Sequence, residues 1–397
     1  MTTHLVTDQR LAPLVEADDF DDLLRDIVKE LAADHARLDR PAASPITSSS
    51  DSWRTRFRAI EAAIERLDPP TAAAGEGSAQ RAADLLREVG WLAEQYTQHR
   101  DALFKARFHE GAIVEQAPEP GEAAWARDVL VEVAALACDV ELLFGPRAGQ
   151  RVFSWYHEFS NEHHPSSLAH FFLSYHALQH CLDADEIGRL DGGDVAELLA
   201  VARAHLEQAK PRLVLVGGGP GTGKSTLAAA IAEVVGWPVL TSQETRAELS
   251  GAAGDASDSH RRDRTDAVYA QLLERAETLL HQGEPVILDA SWSYERHREQ
   301  ARASARAASS SVVEIECVLD PAIARERLAW EQSAPWDSGS DTPELVDVMA
   351  AQRSTWSEAT AIDTSLPLLR TRSDALKAIL GFPPLADPVD EPESSSA

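Results

Sequence analysis

The residues with the clearest chemistry form a glycine-rich stretch in the second half of the chain. Residues 213–228 read LVLVGGGPGTGKSTLA, and Gly218, Gly223, Lys224 and Ser225 have the spacing GxxxxGK[ST]. Such a loop turns consecutive backbone N–H groups around a polyphosphate, and the helix that follows adds the positive end of its dipole. We expect Lys224 to reach the β- and γ-phosphates and Ser225 to ligate Mg²⁺. The residues expected to hold the nucleotide are Gly218, Gly219, Gly221, Thr222, Gly223, Lys224, Ser225 and Thr226.

The context of this loop favours the phosphate-binding interpretation. An apolar run at 212–216 predicts a strand directly before it, and residues 224–235 have helical periodicity directly after it. A glycine-rich turn that merely joins a strand to a helix is the alternative. The agreement of strand, loop, Lys-Ser pair and helix argues against that alternative.

Two further segments bring polar side chains to the same edge of the predicted sheet. PVILDASW, residues 285–292, ends an apolar strand at Asp289, which can order Mg²⁺ or can simply cap the next turn. TSQETRAELSG, residues 241–251, follows the preceding strand. In it Glu244 is the candidate base, and Arg246 is either a substrate or phosphate contact or an ordinary solvated helix residue.

Composition limits the classes of partner. The 397 residues carry 65 acidic and 37 basic side chains, for a net charge of −28, which excludes a nucleic-acid binder held by a general positive field. No apolar run reaches the roughly 18 residues of a membrane span, and the N-terminus lacks a secretory signal. The three cysteines are widely spaced, which disfavours disulfides or a cysteine-based zinc site. We therefore expect a cytoplasmic protein.

Periodicity divides the chain near residue 210. Helical spacing, without a convincing strand, predicts a mainly α-helical domain over 1–209. Short apolar runs that alternate with amphipathic segments predict an α/β domain over 210–382, with a parallel sheet flanked by helices. The tail, 383–397, is acidic and rich in proline, which predicts disorder. The expected helices of the first domain are 20–38, 53–67, 79–104, 123–143, 150–159, 167–182 and 195–208. The expected strands of the second are 212–216, 238–240, 285–289, 312–319 and 361–363, and its helices are 224–235, 266–282, 294–308, 321–331 and 343–357.

These motifs together resemble the small-molecule kinase branch of P-loop NTPases, which contains gluconate kinase-like, polynucleotide kinase-like and zeta-toxin-like domains. Residues 211–382 are most similar to the ATP-binding half of bacterial proteins that join an aminoglycoside phosphotransferase-like domain to a P-loop kinase domain, often labelled AAA family ATPases. The resemblance implies ATP and Mg²⁺ as cofactors. It also implies a substrate-side role for Arg298, and for Arg325 and Arg327 a place on the helix that leads into a mobile lid.

The chain departs from that family at two positions. Members usually carry Ser-Asp after the second strand, where this chain has Ser242-Gln243, and Gln cannot accept a proton. Members also tend to have another Arg where Glu331 stands. Loss of a general base costs about 10²–10⁴ in rate, and loss of a transition-state arginine costs about 10³–10⁵. ATP binding could therefore survive where transfer does not.

Residues 102–209 resemble, more faintly, the late helices of the phosphotransferase-like C-lobe. The corresponding region 107–128 lacks the family's His-Gly-Asp loop, so the resemblance implies a degenerate, non-catalytic domain. Two hypotheses for the whole protein follow. The first is phosphoryl transfer from ATP to a small-molecule hydroxyl, or slow ATP hydrolysis. The second is a catalytically weak ATP-sensing module that acts on a protein partner through its helical domain.

Overall fold

The structure is a computed structural model. It describes residues 19–42, 49–66, 76–116, 125–186, 192–249, 258–333 and 343–380, and the predicted acidic tail lies outside these ranges. The chain divides into two compact units, one of Met1–Lys210 with His281–Gly283 and one of Pro211–Leu280 with Glu284–Ala397. Within the described part of the chain, every helix falls short of the length or the apolar character that crossing a bilayer requires.

The first unit is mainly helical, as the periodicity predicts. Helix α1 shows why: Leu24, Ile27, Val28 and Leu31 recur three and four residues apart, and all are buried. The equivalent faces of the other helices bury their apolar side chains in one common core. The helices of this unit are α1 (Phe20–Arg37), α2 (Ser50–Ile64), α3 (Glu76–Thr97), α4 (Asp101–His109), α5 (Val129–Phe144), α6 (Pro146–Ser160), α7 (Ser166–Glu186) and α8 (Gly192–Ala209).

The expectation of no strand in this half is wrong. Strands β1 (Ile113–Gln116) and β2 (Trp125–Asp128) form an antiparallel pair, and four residues per strand are too few for alternation to stand out from helical spacing. The second strand also shortens the helix predicted at 123–143. Asp128 ends that strand, accepts the Leu130 N–H at 2.9 Å, and binds the buried Arg107 through both carboxylate oxygens. The helix predicted at 79–104 is likewise interrupted, because His99 has a φ of 61°.

The second unit contains a five-stranded parallel sheet in the order β4-β5-β3-β6-β7. Each predicted strand is present to within about two residues at each end. The helices Ser242–Leu249 and Leu368–Leu380 are not among those that the periodicity predicts, and the helix predicted at 343–357 ends at Gln352. The strands are β3 (Arg212–Gly218), β4 (Val239–Thr241), β5 (Val286–Asp289), β6 (Ser311–Val318) and β7 (Thr360–Asp363). The helices are α9 (Lys224–Val235), α10 (Ser242–Leu249), α11 (Asp258–His281), α12 (Glu295–Ala307), α13 (Pro321–Ser333), α14 (Pro343–Gln352) and α15 (Leu368–Leu380).

Both faces of this sheet are covered, which explains the continuous apolar strands. Successive side chains of a strand point to opposite faces. Leu213 and Leu215 of β3 accordingly pack in the core that includes residues of α11 and α12. Val214 and Val216 pack in the core that includes residues of α9 and α15. The central strand is thus buried on both sides, and its carboxyl end is rigidly placed.

One ionisable group is half-buried between two helices of the first unit. Gly90 of α3 leaves space that the Glu61 carboxylate of α2 fills, since a Cβ on Gly90 would lie 2.6 Å from Glu61 Oε2. Burial raises the pKa of Glu61 from 4.5 to about 7, although the charge of Arg58 opposes the shift. The folded protein therefore holds this proton at a pH where the unfolded chain has lost it.

We predict that Glu61→Gln removes a pH-dependent part of the stability. Because the folded-state pKa is the higher one, the free energy of unfolding should fall between about pH 5 and pH 7 and level off above that range. Denaturant titrations of wild type and variant at pH 5, 6, 7 and 8, followed by circular dichroism, measure this component. Glu30→Gln, at an exposed position of α1, is the control and should keep the wild-type slope. An unchanged slope in Glu61→Gln would contradict the assignment.

Candidate functional site

The candidate site is positioned by the register of three parallel strands. Val216 of β3 is paired with Asp289 of β5, and Thr241 of β4 is paired with the same Asp289. The loop after β3, the end of β5 and the start of α10 therefore meet at the carboxyl edge of the sheet. This is where open α/β sheets hold their ligands.

The glycine-rich loop uses its glycines for backbone geometry and close packing. Gly221 and Gly223 have φ values of 70° and 80°, which favour glycine. A Cβ on Gly221 would also lie 2.6 Å from the Ala324 carbonyl oxygen of α13. Gly223 is the N-cap of α9, and no side chain in the described ranges caps this helix. Its first N–H groups are thus available to an anion.

The hydroxyl groups of Thr222 and Thr364 stabilise the loop through hydrogen bonds to its backbone carbonyls. The buried Thr222 donates its hydroxyl to the Gly219 carbonyl at 2.9 Å. Thr364, just after β7, donates its hydroxyl to the Thr222 carbonyl at 2.7 Å. Arg327 of α13 in turn donates to the Thr364 carbonyl at 2.9 Å. The side chain of Thr222 is therefore engaged inside the loop.

The oxygen atoms of Ser225 and Asp289 could hold a hard cation. Asp289 is 5% exposed. Burial raises its pKa, while a hydrogen bond from Ser225 and the charge of Lys224 act in the opposite direction. Asp289 Oδ1 is buried and has no hydrogen-bond partner among the described residues. A buried carboxylate oxygen without a partner beside a hydroxyl fits Mg²⁺, which prefers oxygen ligands. The described residues contain no metal-binding group of three or more His, Cys, Asp or Glu, so such an ion would need ligands from its substrate or water.

Two cavities lie on either side of the loop. A small one of about 130 Å³ is lined by Lys224, Ser225 and Asp289, together with residues of α10. A larger one of about 540 Å³ is lined by Gly221, Gly223 and Arg327, and by residues of α13 and of the segment after β7. The loop thus separates a small polar cavity from one large enough for a small-molecule ligand.

Most of the residues predicted for the site line these cavities. In the small one lie Gly218, Lys224, Ser225, Arg246 and Asp289. In the larger one lie Gly221, Gly223, Thr226 and Arg327. Gly219 lines neither cavity, although its carbonyl accepts a hydrogen bond from the Thr222 hydroxyl.

Three predicted residues lie elsewhere. Glu244 is exposed and bonded to Thr241, whose hydroxyl donates to Glu244 Oε2 at 2.9 Å and accepts the Glu244 N–H at 3.0 Å. Arg298 is fully buried and donates to the carbonyls of Trp292 and Thr355. Arg325 pairs with Asp347 of α14 at 2.8 Å. The structure therefore does not bring these three side chains together with the cavity residues.

Several lining residues were missed by sequence reasoning or given another role. Thr364 and Ser291 follow predicted strands, and that position is a signal that could have found them. From the sequence, Trp330 could either stack on a base or substrate ring or pack in the core or the lid; it is 70% exposed and lines the larger cavity. Trp292 and Trp356 are buried, as expected for packing residues. The side chain of Glu331 and the whole of Trp336 lie outside the described residues.

Residues 213–355 match the family model described as AAA domain. This P-loop domain occupies most of the second unit. Uncharacterized proteins of Mycobacterium tuberculosis and Mycobacterium bovis are each 30% identical over 323 residues, which is 74% of this chain. The chain spans 64% of the length of these relatives.

Two solved structures share a lower similarity with the chain. A gluconokinase from Sinorhizobium meliloti 1021 is 20% identical, with a TM-score of 0.32, over 43% of this chain and 93% of its own. An APS kinase from Mycobacterium tuberculosis, solved with AMPPNP and APS, is 17% identical, with a TM-score of 0.33, over 43% of this chain and 98% of its own.

The start of the loop rests on two tryptophans. Gly217 lies against the indoles of Trp356 and Trp292, and an added Cβ would lie 2.3 Å from Cζ3 of Trp356. Trp356 is itself fixed by its Nε1–H, which donates to Glu314. Gly219, two residues later, has open space: the nearest atom to an added Cβ would be Thr222 Cγ2 at 3.7 Å.

We predict that Gly217→Ala destabilises the second unit and weakens nucleotide binding, because the methyl group must displace a buried indole. Overpacking of this kind costs about 1–3 kcal/mol. Thermal unfolding and titration with Mg·ADP measure the two effects. Gly219→Ala is the matched control and should leave the unfolding temperature near that of wild type. Equal behaviour of the two variants would refute this account of the packing.

Proposed function

We propose that the second unit binds Mg·ATP and transfers its γ-phosphate to a small molecule. One observation carries the proposal: a phosphate loop lies between a small cavity with Lys224, Arg246 and Asp289 and a larger cavity with Arg327 and Trp330. The larger cavity would take the nucleoside, and the small one would take the terminal phosphate and the acceptor. The match to the AAA domain model supports nucleotide binding.

In this proposal Mg²⁺ is held by Ser225 and Asp289, and when bound it neutralises charge on the phosphates. The loop N–H groups and Lys224 bind the phosphate oxygens. Arg246 approaches from α10 on the acceptor side. Arg327 of α13 donates to the Thr364 carbonyl and lines the nucleoside side. Arg298, Arg325 and Glu244 take no direct part.

We predict that Lys224→Ala weakens binding of Mg·ATP about 10- to 100-fold, because a charge-assisted hydrogen bond contributes about 1.5–3 kcal/mol. Isothermal titration calorimetry with the non-hydrolysable analogue AMPPNP measures the loss. Lys377→Ala removes an exposed lysine that pairs with Asp374 in the same unit, and it should bind as wild type does. Unchanged affinity in Lys224→Ala would overturn the assignment of the phosphate loop.

The exposed indole of Trp330 is proposed to stack on the nucleobase. Trp330 is 70% exposed beside a cavity of about 540 Å³. Covering such a large aromatic side chain with a flat ring is favourable, because it removes apolar surface from water. Leu366 and Leu368, both 46% exposed, line the same cavity. Phosphate binding should not depend on these side chains.

We predict that Trp330→Ala raises the Kd for Mg·ADP about tenfold and leaves the Kd for Mg·tripolyphosphate unchanged, since tripolyphosphate has no base to stack. Base–aromatic stacking contributes about 1–3 kcal/mol. Trp330→Phe keeps an aromatic ring and should retain most of the affinity for ADP. Equal losses for both ligands would assign Trp330 to the structure of the loop rather than to the base.

A second candidate function is an ATP-sensing regulatory module. It is supported by Gln243, which lines the acceptor-side cavity at a position where the resembling kinases usually carry Asp. Tight Mg·ATP binding, no transfer to any acceptor, and a protein partner recruited only by the nucleotide-bound form would favour it. The likeness of residues 102–209 to a phosphotransferase C-lobe, and the cytoplasmic location, stay predictions.

A further inference from the structure

The acceptor side of the small cavity has an unusual composition for hydroxyl phosphorylation. Half of the lining residues belong to the phosphate loop or to the pair Ser225 and Asp289, which is assigned above to Mg²⁺. The remaining lining residues are Ser242, Gln243, Arg246, Ser291 and Met349. Within the described chain, this part of the lining thus combines one cation with neutral polar groups and contains no carboxylate.

The two carboxylates closest to this position are already engaged. Glu244 is exposed and closes a reciprocal pair with Thr241 at the start of α10, through bonds of 2.9 and 3.0 Å. This is a capping pair, which satisfies the helix N-terminus. Asp289 is buried, its Oδ1 has no hydrogen-bond partner among the described residues, and it is assigned above to the cation. Gln243 lines the same cavity, but its amide cannot accept a proton at any ordinary pH.

Arg246 supplies a cation without a partner. It lies one turn after Ser242 on α10 and is exposed. No hydrogen bond or ion pair joins it to another described residue, whereas neighbouring arginines such as Arg275 and Arg302 are paired with glutamates. In a protein of net charge −28, an unpaired guanidinium at the rim of a polar cavity creates a local site for an anion.

From these observations we infer that the acceptor oxygen is already an anion, a carboxylate or a phosphate monoester, and not a hydroxyl. The inference rests on the proposed function. A lone pair of the acceptor oxyanion forms the new bond to the γ-phosphorus. The bond from that phosphorus to the β,γ-bridging oxygen breaks, and ADP leaves with its electron pair. No proton moves, so no base is required, and the product is an acyl phosphate or a phosphoanhydride.

The residues present fit this reaction. Two anions must approach each other, and Arg246 offsets the charge of one while Lys224 offsets that of the other. Gln243, Ser242 and Ser291 can donate neutral hydrogen bonds to the acceptor oxygens. A hydroxyl acceptor would instead lack a base, a loss of about 10²–10⁴ in rate.

The direct test is transfer from radiolabelled ATP by the full-length chain to three matched panels. The first contains short-chain carboxylates, the second phosphate monoesters including nucleoside monophosphates, and the third neutral polyols, sugars and nucleosides. Trapping with hydroxylamine identifies an acyl phosphate, and ³¹P NMR identifies a phosphoanhydride, so the two sources are distinguished. We expect transfer in the first or second panel alone. A stable phosphate ester from the third panel, or no transfer in any panel by protein that binds Mg·AMPPNP, overturns the inference. Failure to bind Mg·AMPPNP would instead refute the proposed function and the inference with it.

The sign of a Gln243→Glu effect separates the two acceptor chemistries. With an oxyanion acceptor the added charge repels it, and kcat/KM should fall at least about tenfold. With a hydroxyl acceptor the added carboxylate would act as a base, and kcat/KM would rise.

Arg246→Gln should lower kcat/KM for the anionic acceptor about 10- to 100-fold, mainly through KM, with Arg246→Lys intermediate. The Kd for Mg·ADP, which lacks the γ-phosphate, should remain at the wild-type value in all three, and Arg275→Gln is the control arginine. A rise in Gln243→Glu, or no change in Arg246→Gln, overturns the inference.

Discussion

Parallel pairing between β3, β5 and β4 is the constraint on which the second unit depends. Because Val216 and Thr241 are both in register with Asp289, the phosphate loop, the buried carboxylate and the start of α10 reach the same edge. The loop is then held by packing of Gly217 against Trp356 and by the hydrogen bond from the Thr364 hydroxyl to the Thr222 carbonyl. A shift of one residue in any strand would turn its buried side chains to the wrong face and separate these groups.

Charge is organised locally in an otherwise acidic protein. The net charge of −28 repels anions at long range, and salt screens that field within about 8–10 Å. Near the loop, backbone N–H groups, the N-terminus of α9, Lys224 and Arg246 create the opposite potential. Among the described residues, most other arginines of this unit form ion pairs or hydrogen bonds within the fold. Arg298 and Arg302, for example, both pair with Glu295, and Arg302 also pairs with Glu314. The few unpaired cations therefore have a disproportionate influence on what can bind.

Sequence reasoning succeeded where local pattern and tertiary structure impose the same requirement. The strand, loop and helix around Lys224 were predicted closely, since glycine spacing and apolar runs are local signals. It failed where a residue's role depends on a partner distant in sequence. Arg298 has the position of a substrate contact in the resembling family. In the structure it is fully buried and donates hydrogen bonds to the carbonyls of Trp292 and Thr355. The hairpin of β1 and β2 was missed because each strand is only four residues long.

The sequence by itself determined that a phosphate loop follows a buried strand, that the second half is an α/β domain with a parallel sheet, and that the first half is mainly helical. These properties depend on spacing and periodicity, which a single chain displays. Only the tertiary structure decided which side chains share a cavity. It paired Glu244 with Thr241, left Arg246 without a partner among the described residues and exposed Trp330 beside the loop, because pairing and burial depend on neighbours that folding brings together.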